Sequence, residues 1–558
     1  MTDEPKKSAG MASPGVARLL GLLRQAPWAG LLAGCLFLIY WIQTYGMQLF
    51  SGIDGGIMVN AAWQESLGGV PYRDFHTGAP PLFLLPVGWA FELWGPTWQS
   101  IDRIAILFSV ITFVWSFFLI RDGTRSSWMA LIISALLQAV VVLPSAWWWY
   151  NELTWVFCAL FLASSLTLMG EGPKTTFTYV SFALLAAILP LLKVNLAAPL
   201  MLPLGLLLVL HPSLRRFILF TALGAAGADL AFLVLNGISP ADLLRDYSAM
   251  SSRLNTDSVG FFLTKPVEFD YRWQFWAIPV LIVLLAVVVG IAFWRRPRRM
   301  WFWYAVLVIL IVHAFIGVAT NYQRKGLASA CLIMLLPFLQ VGARSPAGWV
   351  LTTVRYLALA VAVCLAGAGL IVGQDRSLFK YFGVYSWCPD EGRFRFENPP
   401  FFRGMRASPV LAETVYEIAN ALKKFQLVGE SGNKKIFFGP DLDAFYAVFH
   451  LPPPKNFPLW WEKVPSTHQG DNYPFDSFMP PSMNMPSRWI LPGEPLDPQS
   501  QRFLDEKFDA CILLNDPEKF PVMTYLPGEI RAELYEKYEF HSYPFIWVLI
   551  RKPEPGPK

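Results

Sequence analysis

The stretch Ser51-Gly-Ile-Asp54-Gly55-Gly56-Ile57, then Gly68-Gly69-Val70-Pro71-Tyr72-Arg73-Asp74-Phe75-His76-Thr77-Gly78-Ala79-Pro80-Pro81-Leu82, follows directly on the first long apolar run of the chain. It gathers carboxylates, an arginine, a histidine, aromatics and turn-forming Gly and Pro beside a membrane. Such groups are costly at that depth unless they line a site. Plainer readings exist for each: Asp54 as the N-cap of the helix-like run Ile57 to Leu67, and Arg73 with Asp74 as a solvated ion pair.

The membrane itself is read from composition. Of 558 residues, 54% are hydrophobic and only 15% charged, with a mean hydropathy of +0.41. A soluble chain of this length carries far more charge. Apolar runs long enough to cross a hydrocarbon core as helices recur at residues 28–50, 103–120, 128–143, 153–170, 177–192, 196–210, 217–236, 274–294, 301–319, 326–341 and 350–372, eleven spans in all. The loops Arg121 to Arg125, Glu171 to Lys174, His211 to Arg216, Trp294 to Arg299 and Gly342 to Ser345 are basic. By the positive-inside rule they face the cytoplasm. Residues 1–27 then form a cytoplasmic tail, 28–372 a transmembrane domain with its first outer loop at 51–102, and 373–558 an extracytoplasmic domain. In that last third, strand-like runs at Lys435 to Phe438, Ala510 to Leu514 and Phe545 to Ile550 alternate with helix-like runs at Val410 to Phe425 and Pro527 to Lys537, which predicts a small α/β unit. The net charge of +5 is spread over short loops, which argues against a nucleic-acid partner.

The residues of the first outer loop carry a resemblance. Asp-Gly after the first span, Gly-Gly-x-Pro-Tyr-Arg-Asp-Phe, Pro-Pro-Leu and Leu93-Trp94-Gly95 are similar to the corresponding loop of the polytopic GT-C type glycosyltransferases, which include the protein mannosyltransferases and the lipid A aminoarabinose transferase. The resemblance implies a polytopic α-helical fold, a sugar donor on a polyprenyl phosphate, inversion at the sugar carbon, and Asp54 as the catalytic carboxylate. Where many members read Asp-Glu, this chain has Asp54-Gly55, so the second acid of that pair is missing.

Two short outer loops run against the charge rule: Lys193 with Asn195, and Arg324 with Lys325. An anionic lipid headgroup at that depth accounts for both, and snorkelling to the interface is the plainer alternative. Glycosyl transfer from a phosphate-linked donor needs a base for the acceptor's proton, a held oxocarbenium-like centre, and neutralisation of the leaving phosphate. Asp54 suits the first task and Lys193, Arg324 and Lys325 the third. Asp74 is a second catalytic candidate, orienting substrate, with Arg73 or His76 fixing its position. Tyr72, Arg73, His76, Trp149, Glu152 and Asn195 are candidate substrate contacts. No metal-ligand spacing is present, so no cofactor is indicated beyond the lipid-linked sugar as co-substrate. The expected partners are that donor, membrane lipids and an envelope glycan, lipid or protein acceptor, in a bacterial inner membrane. Two other functions compete: a transporter or flippase of lipid-linked glycans, for which no internal repeat is found, and a non-catalytic scaffold of envelope assembly. Cys388 and Cys511 both fall in the outer third, where a disulfide between them is one outcome.

Overall fold

The structure, a computed structural model, describes residues 14–46, 54–143, 150–170, 174–251, 272–294, 296–321, 360, 394–407, 409–429, 434–439, 442–455, 498–515 and 528–553. Helices dominate. The first part comprises α1 (Pro14–Tyr45), α2 (Asp54–Ser66), α3 (Pro81–Trp94), α4 (Trp98–Thr124), α5 (Ser127–Val141), α6 (Tyr150–Met169), α7 (Thr176–Ile188), α8 (Val194–Leu210), α9 (Arg215–Leu235), α10 (Pro240–Ser251), α11 (Arg272–Phe293) and α12 (Pro297–Asn321). Polar caps start several of them: Thr97 accepts from Ser100 N, Ser126 from Met129 N and Thr175 from Thr178 N, each stabilising its helix by about 1 kcal/mol. Among the described residues, 25–45, 98–124 and 215–235 are long and apolar enough to cross a membrane, and shorter apolar helices fill the spaces between. Leu202, Leu206 and Leu210 form an exposed stripe at four-residue spacing on α8, as expected of a face turned to lipid.

Contacts between distant helix ends fix their alternation. At one end, Trp41 Nε1 donates to Leu143 O (3.0 Å) and Trp98 Nε1 to Gly46 O (2.9 Å). Tyr72, Leu85, Leu191, Leu233 and Ile238 share an apolar cluster there. At the other, Arg121 lies over the rings of Trp28 and Phe118, and Thr175 donates to the Asp122 carboxylate. The expected spans from residue 103 to residue 319 thus correspond to helices, within a few residues at their ends, while the first, expected at 28–50, belongs to a helix that already begins at Pro14, inside the expected tail. Spans 326–341 and 350–372 lie outside the described residues. The first outer loop holds more order than its sequence announced: the expected run Ile57 to Leu67 extends back to Asp54, and the Pro81–Trp94 run is a second helix antiparallel to it.

The C-terminal part is an α/β unit built on helices α13 (Pro409–Lys424), α14 (Phe445–Val448), α15 (Pro498–Glu506) and α16 (Gly528–Lys537). A hairpin of β1 (Phe394–Arg395) and β2 (Arg406–Ala407) precedes a four-stranded sheet of β3 (Ile436–Phe438), β4 (Ala510–Leu514), β5 (Tyr538–Ser542) and β6 (Ile546–Arg551). Its strand order is β3-β4-β6-β5, with β3 parallel to β4 and the other pairs antiparallel. All five residues of β4 are buried, so this central strand reads as a continuous apolar run. Cys511 within it is a free thiol, pushed up by burial, while Cys388 lies outside the described residues. The unit rests on the loop end of the bundle, where the Phe401 ring meets Phe91 edge-on at 6.3 Å and Gln99 Nε2 donates to Arg403 O.

Candidate active site

Helix α2 is the spine of this end. Residues 55–64 are buried throughout, unusual for a helix that opens Asp54-Gly55-Gly56. The reason is a second layer: the segment 442–455 of the C-terminal unit runs alongside it. A Cβ on Gly56 would stand 3.6 Å from Ala444 N and 3.9 Å from Asp443 Cβ. One helical stretch further on, Trp63 Nε1 donates to Leu451 O at 2.8 Å, and its ring meets His450. Asp443 is buried, so the start of α2 has a carboxyl group from the far end of the chain close by.

The end of α2 explains the paired glycines. Gly68, with φ of 87°, is left-handed; its N–H bonds to Glu65 O and that of Gly69 to Gln64 O, both at 2.8 Å. This is the Schellman arrangement, which glycine adopts without steric cost. The loop beyond closes on itself: Val70 N–H donates to Asp74 Oδ2 (2.9 Å), Asp74 N to Val70 O (2.9 Å), and Arg73 pairs with Asp74 at 2.8 Å. The Arg73 guanidinium, helped by the Val70 N–H and the Lys455 ammonium and opposed by partial burial, holds the Asp74 carboxyl below the usual carboxylate range. Tyr72 is fully buried in a left-handed conformation and donates its hydroxyl to Ala79 O at 2.5 Å.

Helix α10, absent from the sequence reading, grips this loop from outside. Asp246, buried, lies 3.2 and 3.3 Å from His76 Nδ1 through its two oxygens and accepts from Thr77 N (3.2 Å) and Arg245 Nε (3.2 Å). Arg245 also donates to Tyr72 O (2.6 Å) and pairs with Asp242 (2.8 Å). His76 therefore does not hold Asp74, as expected from sequence; it pairs with Asp246, 170 positions away. The signal that could have found α10 is Pro240 followed by Asp242, Arg245 and Asp246, a proline start with charges three and four apart, in a chain poor in charge. Under the loop, Glu65 is buried against α3, where Gly88 has no side chain to obstruct it. Neither of its oxygens finds a partner among the described residues. Burial, with Glu92 adding to it, raises the Glu65 carboxyl well above its ordinary value.

A third group of helix ends meets beside this loop. Lys193 is the residue before α8, two positions after Leu191, which packs with Tyr72. Asn195 sits in the first turn of α8 and is half-buried. His313 Nε2, late in α12, donates to Leu196 O at 2.8 Å, and its ring lies 4.9 Å from that of Trp155 in α6. The starts of α6 and α8 and the second half of α12 therefore converge. Asp54 begins α2 and Glu152 lies in the first turn of α6, but their side chains are outside the described part, as are Trp149, Arg324 and Lys325 entirely.

The candidates thus separate into two groups along α2. Its 13 residues set Asp54 about 18 Å along the axis from Ser66, and the Tyr72 to His76 loop follows beyond that end. No group of three or more His, Cys, Asp or Glu residues suited to a metal ion occurs among the described residues.

An apolar helical bundle with helices long enough to cross a membrane defines a polytopic membrane protein, and in its first loop the chain resembles the GT-C type glycosyltransferases. No family model and no curated protein matches it. Among solved structures it is similar to ArnT from Cupriavidus metallidurans bound to undecaprenyl phosphate, at 15% identity and a TM-score of 0.42 over 98% of this chain and 100% of that one. It is also similar to ArnT from the same organism in the apo state, at 14% identity and a TM-score of 0.45 over 93% and 96%.

Proposed function

We propose that this protein is a membrane glycosyltransferase that moves a sugar from a polyprenyl-phosphate-linked donor to an envelope acceptor at the outer face of a bacterial inner membrane. Asp54 takes the proton of the acceptor hydroxyl as its oxygen attacks the sugar carbon. Lys193, with Arg324 and Lys325, neutralises the phosphate that leaves from the opposite face, and the single displacement inverts the centre. Eleven spans carry the chain across the membrane, with the unit after residue 373 outside.

The observation that supports this most is the His313 to Leu196 hydrogen bond. It ties the last turns of α12, from which the chain continues to Arg324 and Lys325, to the turn of α8 that starts at Lys193. The second half of α12 is thus held against the first turn of α8, and a shared phosphate would draw on the cation at the start of α8 and on those that follow α12 in sequence. Asp74, engaged with Val70 and Arg73, serves by shaping the loop that carries Tyr72 and His76.

The test is envelope glycolipid and polysaccharide mass spectrometry of a deletion strain carrying the parent or Asp54→Asn. The exchange keeps size and removes the base, so transfer should fall roughly 10² to 10⁴ fold, and the sugar missing in the deletion strain should stay missing. Parental levels of that sugar with Asp54→Asn at normal expression would remove Asp54 from the chemistry.

A further inference from the structure

We propose that His76, fixed by Asp246, is the proton-handling residue of the leaving phosphate, donating from Nε2 as the bond from sugar to phosphate breaks. The proposal rests on the lipid-phosphate donor reading above and names a residue and a role that reading leaves open.

The geometry is that of an imidazole with a built support. Both Asp246 oxygens lie within 3.3 Å of His76 Nδ1, and each also receives another donor, Arg245 Nε on one and Thr77 N on the other. A carboxylate so saturated has only acceptor capacity left for Nδ1, which must carry a hydrogen. That leaves Nε2 as the nitrogen that gains and loses a proton, the logic by which a buried aspartate sets a histidine's tautomer in hydrolase triads. The imidazole is 25% exposed while Asp246 is 6% exposed, so the support is inside and the ring faces outward. Nε2 makes no hydrogen bond to any described residue. Among the described residues, the other charged and titratable groups around the pair are Asp242, Arg245 and Tyr247 on α10 and Tyr72, Arg73 and Asp74 in the loop; Arg73 and Arg245 are already engaged with Asp74 and with Asp242, Asp246 and Tyr72 O.

The position suits the phosphate end. The loop packs through Tyr72 on Leu191, beside Lys193, and lies the length of α2 from Asp54. In the transfer, the bond from sugar carbon to phosphate oxygen breaks with its electron pair going to the oxygen. The Nε2 proton of the imidazolium passes to that oxygen, while the acceptor hydroxyl gives its proton to Asp54 and forms the new bond. His76 ends neutral and Asp54 protonated, and one proton exchanged with solvent at each resets both.

The full-length protein in detergent is titrated with undecaprenyl phosphate at pH 6 and pH 8, with undecaprenol as the phosphate-free control. The ligand's own second proton is lost within this window, so the readout at each pH is the parent against the variant. His76→Asn keeps a donor where Nδ1 stands, and so the Asp246 contact, but has nothing at Nε2; the parent should bind the phosphate about tenfold more tightly than this variant at pH 6, the worth of one charge-assisted hydrogen bond, and lose that advantage at pH 8. Asp246→Asn should lose the same advantage. Equal binding by the parent and His76→Asn at both pH values overturns the assignment of His76 while leaving the donor reading intact. A parent that binds undecaprenyl phosphate no better than undecaprenol overturns the donor reading itself.

Discussion

At the scale of single residues, two glycines of one hairpin of helices predict opposite tolerances. On Gly88 a Cβ would stand 2.1 Å from Glu65 Oε2 and 2.9 Å from Glu65 Cβ. Rotating the carboxyl away relieves only the first contact, so Gly88→Ala should cost about 1–3 kcal/mol through overpacking. Gly56→Ala meets only ordinary contacts at 3.6 Å and beyond and should leave the melting temperature nearly unchanged. Thermal unfolding of the purified protein, followed by exposure of the buried Cys158 and Cys511 thiols, measures both; equal losses would mean that the α2–α3 spacing differs from that described. Glu65 adds a pH dependence. Burial keeps its proton bound to higher pH in the folded protein than in the unfolded chain. Stability therefore falls as pH rises above the ordinary glutamate value of about 4.3 towards the raised one. Glu65→Gln cannot ionise and lacks that fall, so its gain over the parent should be larger at pH 8 than at pH 5. A gain independent of pH would place a cation beside Glu65.

At the scale of elements, the joint between α2 and the segment 442–455 is the least anticipated feature. The hydropathy of the spans and the alternation in the C-terminal unit were both readable, because periodicity is local to a run of ten or twenty residues. The partner of Trp63 is 388 positions away, and the partner of His76 is 170 away; no local pattern encodes such a pairing. Asp74 was readable as a carboxylate beside an arginine, but its bond to Val70 N was not, since it depends on the turn set up by Gly68, Gly69 and Tyr72. The joint can be weakened without touching the chemistry. Trp63→Phe removes the indole donor, leaves Leu451 O unpaired in a buried place, and should destabilise by about 1–3 kcal/mol. Hydrogen exchange should then quicken in 442–451 while α4 and α6 stay protected. Uniform quickening would mean that the C-terminal unit and the bundle unfold as one.

At the scale of the whole molecule, sidedness is a single question. The contacts along α2 and α3 place the first loop, Lys193 and the segment 442–455 at one end of the bundle. The turns bearing Arg121, Arg125, Lys174, Arg215, Arg216 and Arg298 lie at the other, because the helices between them alternate. A C-terminal unit packed on α2 cannot lie across the membrane from it, whatever the number of spans between residues 322 and 393. The basic turns decide which end is inside, since an excess of Lys and Arg marks the cytoplasmic side. A cysteine introduced as Lys455→Cys, at an exposed position of the C-terminal segment, should therefore react with a membrane-impermeant maleimide added to spheroplasts. Arg298→Cys, exposed in the first turn of α12, should react only after the membrane is permeabilised. The native cysteines Cys158 and Cys511 are buried, so the unsubstituted protein supplies the background. Labelling of Arg298→Cys but not Lys455→Cys in intact spheroplasts would turn the molecule over and put the site on the cytoplasmic face. The donor would then have to be met before it crosses the bilayer, and the transfer proposed for the outer face would fail with it.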